Sequence, residues 1–269
     1  MKAPGTRVAP DNASFTPAAN ASASVTTFRR AGAGLAVLFG FHAVREVLRR
    51  NRREIFDLYA TPAAAERLGP EIAARALKPK LVEAETLSRR LGANAVHQGV
   101  MIEVRPLPDL DISEIASNSG LILVLDQITD PHNVGAILRT AAAFAVDALV
   151  TTDRHAPEMT GVLAKAASGG LEHVSIVSVV NLARTLKKLG EMGYCRIGLD
   201  SSGPVALTEA QIARPVALVL GGEGKGIRRL TRENCDLVVR LDMPGAIKSL
   251  NVSNACAVAL AMLQTRPPQ

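Results

Sequence analysis

The chain has 269 residues, 48% of them apolar, which is enough for one large or two small domains with a real core. Its 31 Lys and Arg against 25 Asp and Glu give a formal charge of +6, which suits an anionic partner without separating RNA from ordinary surface chemistry. No apolar run reaches the roughly 18 residues needed to cross a bilayer, and the start lacks a charged segment followed by an apolar one, so the expectation is a cytoplasmic protein with no membrane contact.

Residues 1–35 are rich in Ala, Ser, Thr, Pro and Gly, with Arg29 and Arg30 as a small basic pair. A disordered tail is expected there, a solvated leader in preference to an RNA-gripping arm. A compact α/β unit follows over 36–105: a short start at Leu38, a turn at Gly40, a helix over 42–51, a strand over 55–60, a helix opening near Pro62, helical stretches over 66–76 and 82–91, and a closing strand over 100–104. Arg49, Arg50, Arg52 and Arg53 form the densest positive cluster, at the end of the first helix. They fit either a complement to the helix macrodipole or contact with RNA phosphates, and both readings stay open. Pro106, Pro108, Asp109, Asp111, Ser117, Asn118 and Gly120 mark 106–120 as a linker.

From 121 onward the pattern alternates. Strands are expected over 121–125, 148–151, 175–179, 195–199, 216–220 and 237–241, and helices over 134–145, 161–168, 182–189 and 252–263. Continuous apolar strands separated by helices imply an α/β domain with a parallel sheet covered on both faces. No internal repeat is evident.

Cys195, Cys235 and Cys256 are widely spaced and show no CxxC pairing, so they read as buried small hydrophobes in place of a disulfide framework or zinc site. The five His residues are equally scattered, and no metal is expected. With no Trp, two Tyr and six Phe, single-strand binding by aromatic stacking is disfavoured, so RNA contact would rest on phosphates and shape.

Three segments offer polar groups where buried strands meet turns. Asp130-Pro131-His132-Asn133-Val134-Gly135 follows a strand and opens a helix, where an open α/β sheet normally binds ligand. Arg139 lies one turn beyond Gly135 and can project near the mouth of that loop. Asn133 both donates and accepts hydrogen bonds, and Arg139 is a fixed cation suited to phosphate; an Asn-capped helix with a surface Arg is the bland alternative. Gly221-Gly222-Glu223-Gly224-Lys225-Gly226 lacks the GxxxxGK[ST] pattern and the spacing of GxGxxG, so it reads as a turn that lets backbone approach a ligand and carries one acid, Glu223. The third segment, Met243-Pro244-Gly245-Ala246-Ile247-Lys248-Ser249-Leu250-Asn251-Val252-Ser253, enters an Ala-rich helix with an Asn or Ser cap.

As an ordered trio these segments resemble the three motifs of the SpoU-type RNA 2'-O-methyltransferases. The resemblance runs from about residue 38 to 264 and takes in Ala95-Val96-His97-Gln98-Gly99-Val100, Asn181-Leu182-Ala183-Arg184-Thr185 and Arg228-Arg229-Leu230-Thr231-Arg232-Glu233. It is similar above all to the bacterial branch that modifies a guanosine in the peptidyl-transferase region of 23S rRNA.

That resemblance implies a knotted domain with a deep trefoil over 121–266, preceded by a unit similar to ribosomal protein L30e over 36–105 that binds the RNA substrate. It implies S-adenosylmethionine as methyl donor, no metal, 23S rRNA or a pre-ribosomal particle as partner, and a homodimer. Asn133, Arg139, Glu223, Ser249 and Asn251 match the family's catalytic cluster. Gly221, Leu241 and Leu250 fall where the donor is held. His97 is expected to serve by hydrogen bonding before the last strand of the first unit. Transfer RNA as substrate, and a non-catalytic RNA-binding or ribosome-assembly factor, are the alternatives.

Overall fold

The computed structural model describes residues 28–29, 32, 34–154, 161–222, 224 and 226–265. Most of the expected tail lies outside these residues. The described end of it packs on the first unit, with Phe28 against Tyr59 at 5.0 Å between rings and Arg29 Nε 3.1 Å from Asp57.

The first unit runs β1 (Ala36–Phe39), α1 (Phe41–Arg50), β2 (Ile55–Ala60), α2 (Pro62–Arg67), α3 (Gly69–Ala74), β3 (Lys80–Leu81), α4 (Ala84–Leu91) and β4 (Val100–Val104). Its sheet has the order β1-β4-β2-β3, with β4 antiparallel to both β1 and β2. In α1 the apolar residues Val44, Val47 and Leu48 recur at helical spacing and are all buried, so the helix lies flat on the core. Asn51 ends it in the left-handed conformation at φ 53°, which Asn tolerates better than most residues. His97 has the hydrogen-bonding role expected: its Nδ1 accepts from Gly99 N at 3.1 Å and its Nε2 lies 3.0 Å from the Ser88 hydroxyl. Burial lowers its pKa, which favours the neutral ring that this bonding uses.

The second unit runs β5 (Leu121–Asp126), α5 (Pro131–Ala143), β6 (Ala148–Thr152), α6 (Gly161–Ala166), β7 (Ser175–Val179), α7 (Leu182–Glu191), β8 (Cys195–Leu199), β9 (Val205–Ala206), β10 (Val216–Gly221), α8 (Arg229–Glu233), β11 (Leu237–Arg240) and α9 (Val252–Gln264). Seven strands form one sheet, β7-β6-β5-β10-β8-β11-β9, and every pairing is parallel. Alternate side chains of β5 serve opposite faces. Leu121, Leu123 and Leu125 pack with Ile137 of α5 and Leu260 of α9, while Ile122 and Val124 pack with Leu182, Leu186 and Leu189 of α7. Both faces are thus covered, which is why these strands read as continuous apolar runs.

The two-residue strands β3 and β9, the short helix α8 and the 3-10 turn Ile112–Glu114 inside the expected linker depart from the sequence pattern. Elements this short carry no full hydrophobic period. The turn is held by a capping box in which Asp111 and Glu114 each accept from the other's backbone region.

Three of the four clustered arginines at the end of α1 are engaged within the fold, and Arg50 is exposed. Arg53 Nε lies 2.7 Å from Glu172 Oε1, with both side chains buried, and Arg52 Nη1 donates to the Glu172 carbonyl at 3.1 Å. Arg49 pairs with Glu71 at 2.8 Å. The Arg53 and Arg52 bonds cross to the second unit, where His173 Nε2 also meets Glu46 Oε2 at 3.0 Å. At the same junction Gly161 leaves room for the Phe39 ring, whose nearest atom would lie 2.1 Å from an added Cβ. Replacing Arg53 by Ala would strand the Glu172 carboxylate in a dry junction and should destabilise the protein by about 3–5 kcal/mol. Arg53→Met with Glu172→Leu should recover most of that. Denaturant unfolding decides it, and a single Ala variant within about 1 kcal/mol of the parent would remove the pair from this role.

Candidate active site

The loops that leave the C-terminal ends of β5, β8, β10 and β11 converge, as they do at ligand sites of parallel sheets. Asp126 closes β5 and is wholly buried. Its carboxylate accepts from Arg228 N at 2.9 Å and from Arg228 Nε at 2.6 Å, and its carbonyl accepts from Gly222 N at 2.9 Å. These bonds fold the glycine-rich loop after β10 back over the strand ends.

The fold-back leaves a cavity of about 490 Å³ whose walls include Leu220, Gly221, Ile227, Leu241, Ser249, Leu250 and Val252. That volume suits a ligand of nucleoside size. Gly221 has no alternative here, because a Cβ on it would lie 2.2 Å from Gly226 C and 2.5 Å from Ile227 N, both backbone atoms. Asp200, just beyond β8, supplies a carboxylate to the wall. Burial pushes its pKa up, but hydrogen bonds from Ser202 and Ile227 and the charge of Arg232 outweigh that and leave it below the usual carboxylate value.

Asn251 stands at the rim as the N-cap of α9. Its Oδ1 accepts from Ser253 N at 2.9 Å and its Nδ2 donates to Asn133 Oδ1 at 2.9 Å. One bond therefore joins the first and third motifs and sets the N-termini of α5 and α9 side by side. The α5 cap is Asp130, whose carboxylate accepts from His132 N at 3.0 Å. Asn133 accordingly sits inside the first turn of a helix that begins three residues earlier than its apolar pattern suggested, with its side chain turned toward the motif-three loop.

Four sequence-derived residues, Gly221, Leu241, Ser249 and Leu250, line the cavity, and Asn133 and Asn251 meet beside it. Arg139 lines none of it. It is exposed, two helical turns along α5 from Asn133, and borders a second concavity with His42 and Arg45 of the first unit. Glu223 lies outside the described residues, as does Lys225. Asp126, Asp200 and Arg228 were missed in the sequence; the available signal for the two acids was a carboxylate placed at the C-terminal end of a buried parallel strand.

No group of three or more His, Cys, Asp or Glu able to hold a metal occurs among the described residues, and no helix among them is long and apolar enough to cross a membrane. Cys256 is buried as expected, whereas Cys195 and Cys235 are only partly covered; burial pushes the thiols of Cys235 and Cys256 up to about 12.

Residues 120–261 match the profile described as the SpoU rRNA Methylase family, and residues 37–110 match that described as RNA 2'-O ribose methyltransferase substrate binding. The chain is 36% identical over 231 residues to the 23S rRNA (guanosine-2'-O-)-methyltransferase RlmB of Pseudomonas putida, an alignment that covers 83% of this chain and 93% of that protein. The protein of the same name from Nitrosomonas europaea is 38% identical, over 83% of this chain and 88% of its own. The crystal structure of the SpoU methyltransferase AviRb from Streptomyces viridochromogenes in complex with AdoMet superposes with a TM-score of 0.72 at 22% identity, covering 88% of this chain and 92% of that one. An AdoMet-bound rRNA methyltransferase from Sinorhizobium meliloti gives 0.72 at 19% identity, over 86% and 87% of the two chains. At such identities these two structures speak for the fold alone.

Gly221→Ala should lower stability by about 1–3 kcal/mol by forcing the returning loop off the strand. Gly245→Ala, with nothing within 4 Å of the added carbon, should stay within about 0.5 kcal/mol of the parent. Equal denaturation midpoints for the two variants would show that the loop does not close on Gly221.

Proposed function

The chain belongs to the SpoU rRNA methylase family, and on that premise we propose that it transfers a methyl group from S-adenosylmethionine to a ribose 2'-hydroxyl of 23S rRNA, at a guanosine in the peptidyl-transferase region. The observation that carries this reading is the cavity walled by Gly221, Leu241, Ser249 and Leu250, with the Asn133–Asn251 pair at its rim. Relatives named for 23S rRNA match both units of the chain, which favours that substrate over transfer RNA. The 36–105 unit is then the part that grips RNA, with 121–266 as the knotted catalytic part and the cytoplasm as the place of action.

The residues present fit the donor. Leu241, Leu250 and Ile227 offer apolar contact to a purine, and Gly221, against which the returning loop packs, borders the same cavity. When bound, S-adenosylmethionine supplies an electrophilic methyl group on a sulfonium centre. The chain's own task is to align the ribose hydroxyl with it and help that hydroxyl lose its proton. Asn133 and Asn251, locked to each other, orient the ribose, and Ser249 completes the polar shell; Glu223 is assigned to the catalytic set by its place in the motif alone. A guanidinium is a fixed cation, so Arg139 holds a neighbouring phosphate and stabilises alkoxide charge, a phosphate oxygen being the proton acceptor.

Within one chain Arg139 and the donor cavity face different concavities, so this chemistry calls for a homodimer in which α5 of one protomer approaches the cavity of the other. Exposed Ile247 and Leu250 of the motif-three segment and Val258 of α9 supply apolar surface for that contact.

Light scattering on catalytically active protein should report twice the chain mass; an active monomer would sink the dimer. Incubation with labelled S-adenosylmethionine and rRNA from a strain lacking its own enzyme should place the label on one guanosine of the peptidyl-transferase region. Arg139→Ala should lower that transfer rate by about 100-fold or more while leaving donor affinity near parental. Label on another RNA moves the substrate, and no label on any RNA brings a binding factor to the front.

A further inference from the structure

Between the two units lies a cleft of about 390 Å³ bordered by His42, Arg45 and Glu46 of α1 and by Arg139, Gly169 and His173 of the second unit. Its positive groups are not consumed by the fold. Arg139 makes no side-chain hydrogen bond or ion pair among the described residues, and Arg45 Nε is shielded from solvent without a partner. The Arg45 guanidinium lies over the Phe41 ring, 5.6 Å from its centroid. The one carboxylate on the rim, Glu46, is already held by His173 at 3.0 Å and Arg49 at 3.5 Å. The walls are fixed in place by the buried Arg53–Glu172 pair and by backbone contact, since a Cβ on Gly170 would lie 2.7 Å from the Leu138 carbonyl oxygen next to Arg139.

From this we propose that the cleft is a phosphodiester site for the substrate RNA, in which Arg45 and His42 grip the strand that Arg139 engages. The inference rests on the proposed methyl transfer and deepens it, by making α1 of the first unit part of the RNA path and by giving the rigid docking of the two units a purpose. A guanidinium with an unsatisfied, desolvated donor is a poor structural element and a good anion receptor. An arginine on each wall matches the spread of charge along a nucleic-acid backbone better than a single small anion. Arg52 and Arg53, just beyond α1, are turned inward to hold the junction, and neither Arg49 nor Arg50 borders the cleft, so the cationic work there falls to Arg45 and His42 earlier on the same helix.

The test is direct binding of the full-length chain to a transcript of the peptidyl-transferase region over a salt series, with Arg45→Glu, His42→Glu and Arg45→Lys. Arg45→Glu should weaken RNA binding about tenfold or more and flatten the dependence of log K on log salt by about 0.7 for each phosphate that the variant fails to neutralise. RNA KM should rise with it while S-adenosylmethionine affinity and kcat at saturating RNA stay parental, and Arg45→Lys should recover part of the binding. His42 is exposed, so His42→Glu should fold normally and weaken binding even if Arg45→Glu misfolds. Parental affinity in His42→Glu and Arg45→Glu at every salt concentration overturns the assignment, as does inorganic phosphate binding that responds to the variants while RNA binding does not. Because binding needs no turnover, these outcomes stand even if the parent chain transfers no methyl group, a result that would overturn the reaction and not the cleft.

Discussion

The site depends on one buried charge. Asp126 ends the central strand β5 with its side chain at 0% exposure, a position that a carboxylate occupies only if its oxygens are fully engaged. Arg228 engages them with its backbone N–H and its guanidinium, and it can do so only if the chain, having left β10, turns back over the strand ends. The glycines at 221, 222 and 226 allow that return, because backbone passes against backbone where any side chain would stand in the way. The cavity is what remains under the fold-back, so its shape follows from an electrostatic need at the sheet end as much as from the residues lining it.

A second buried charge organises the junction between the two units. Glu172 and Arg53 are 1% and 5% exposed, and the pair links the segment after α1 to a second 3-10 turn, Gly170–Glu172, that packs on α5. A buried pair of this kind adds little net stability over an apolar substitute, yet it tolerates only one relative placement. It acts here as an orientation lock. The apolar core runs without a break from Leu38 and Val44 through Leu163 to Leu123 and Leu260, so the lock sits on a surface that is already dry.

These two constraints yield a division of labour. One concavity, with apolar walls, backbone edges and the Asp200 carboxylate, suits a nucleoside; the other, lined by guanidinium and imidazole groups, suits a phosphate chain. The Asn133–Asn251 bond stands between the motif loops, and α5 carries a residue to each concavity, Asn133 at its start and Arg139 two turns on. A methyltransferase acting on a polymer needs both surfaces, and needs them held apart by a rigid helix.

What the sequence by itself determined was the α/β class, the order of the long elements and the positions of the three loops. The strands of β5 and β10 bury both faces and so are apolar throughout, and Pro, Gly and Asn mark where the chain must turn. His97 and the cap role of Asn251 were legible for the same local reason, since a hydrogen bond to a near neighbour leaves a trace in spacing. Only the tertiary structure decided that Arg53 faces a buried acid 119 residues away while its neighbours in the same basic run do other work. It alone decided that Asp126 and Arg228 meet across 102 residues, and that Arg139 looks toward α1 and away from the donor cavity. Charge in a sequence reports that a partner is needed; which partner depends on the direction a side chain takes once distant strands have been stacked, and one-dimensional spacing holds no record of that.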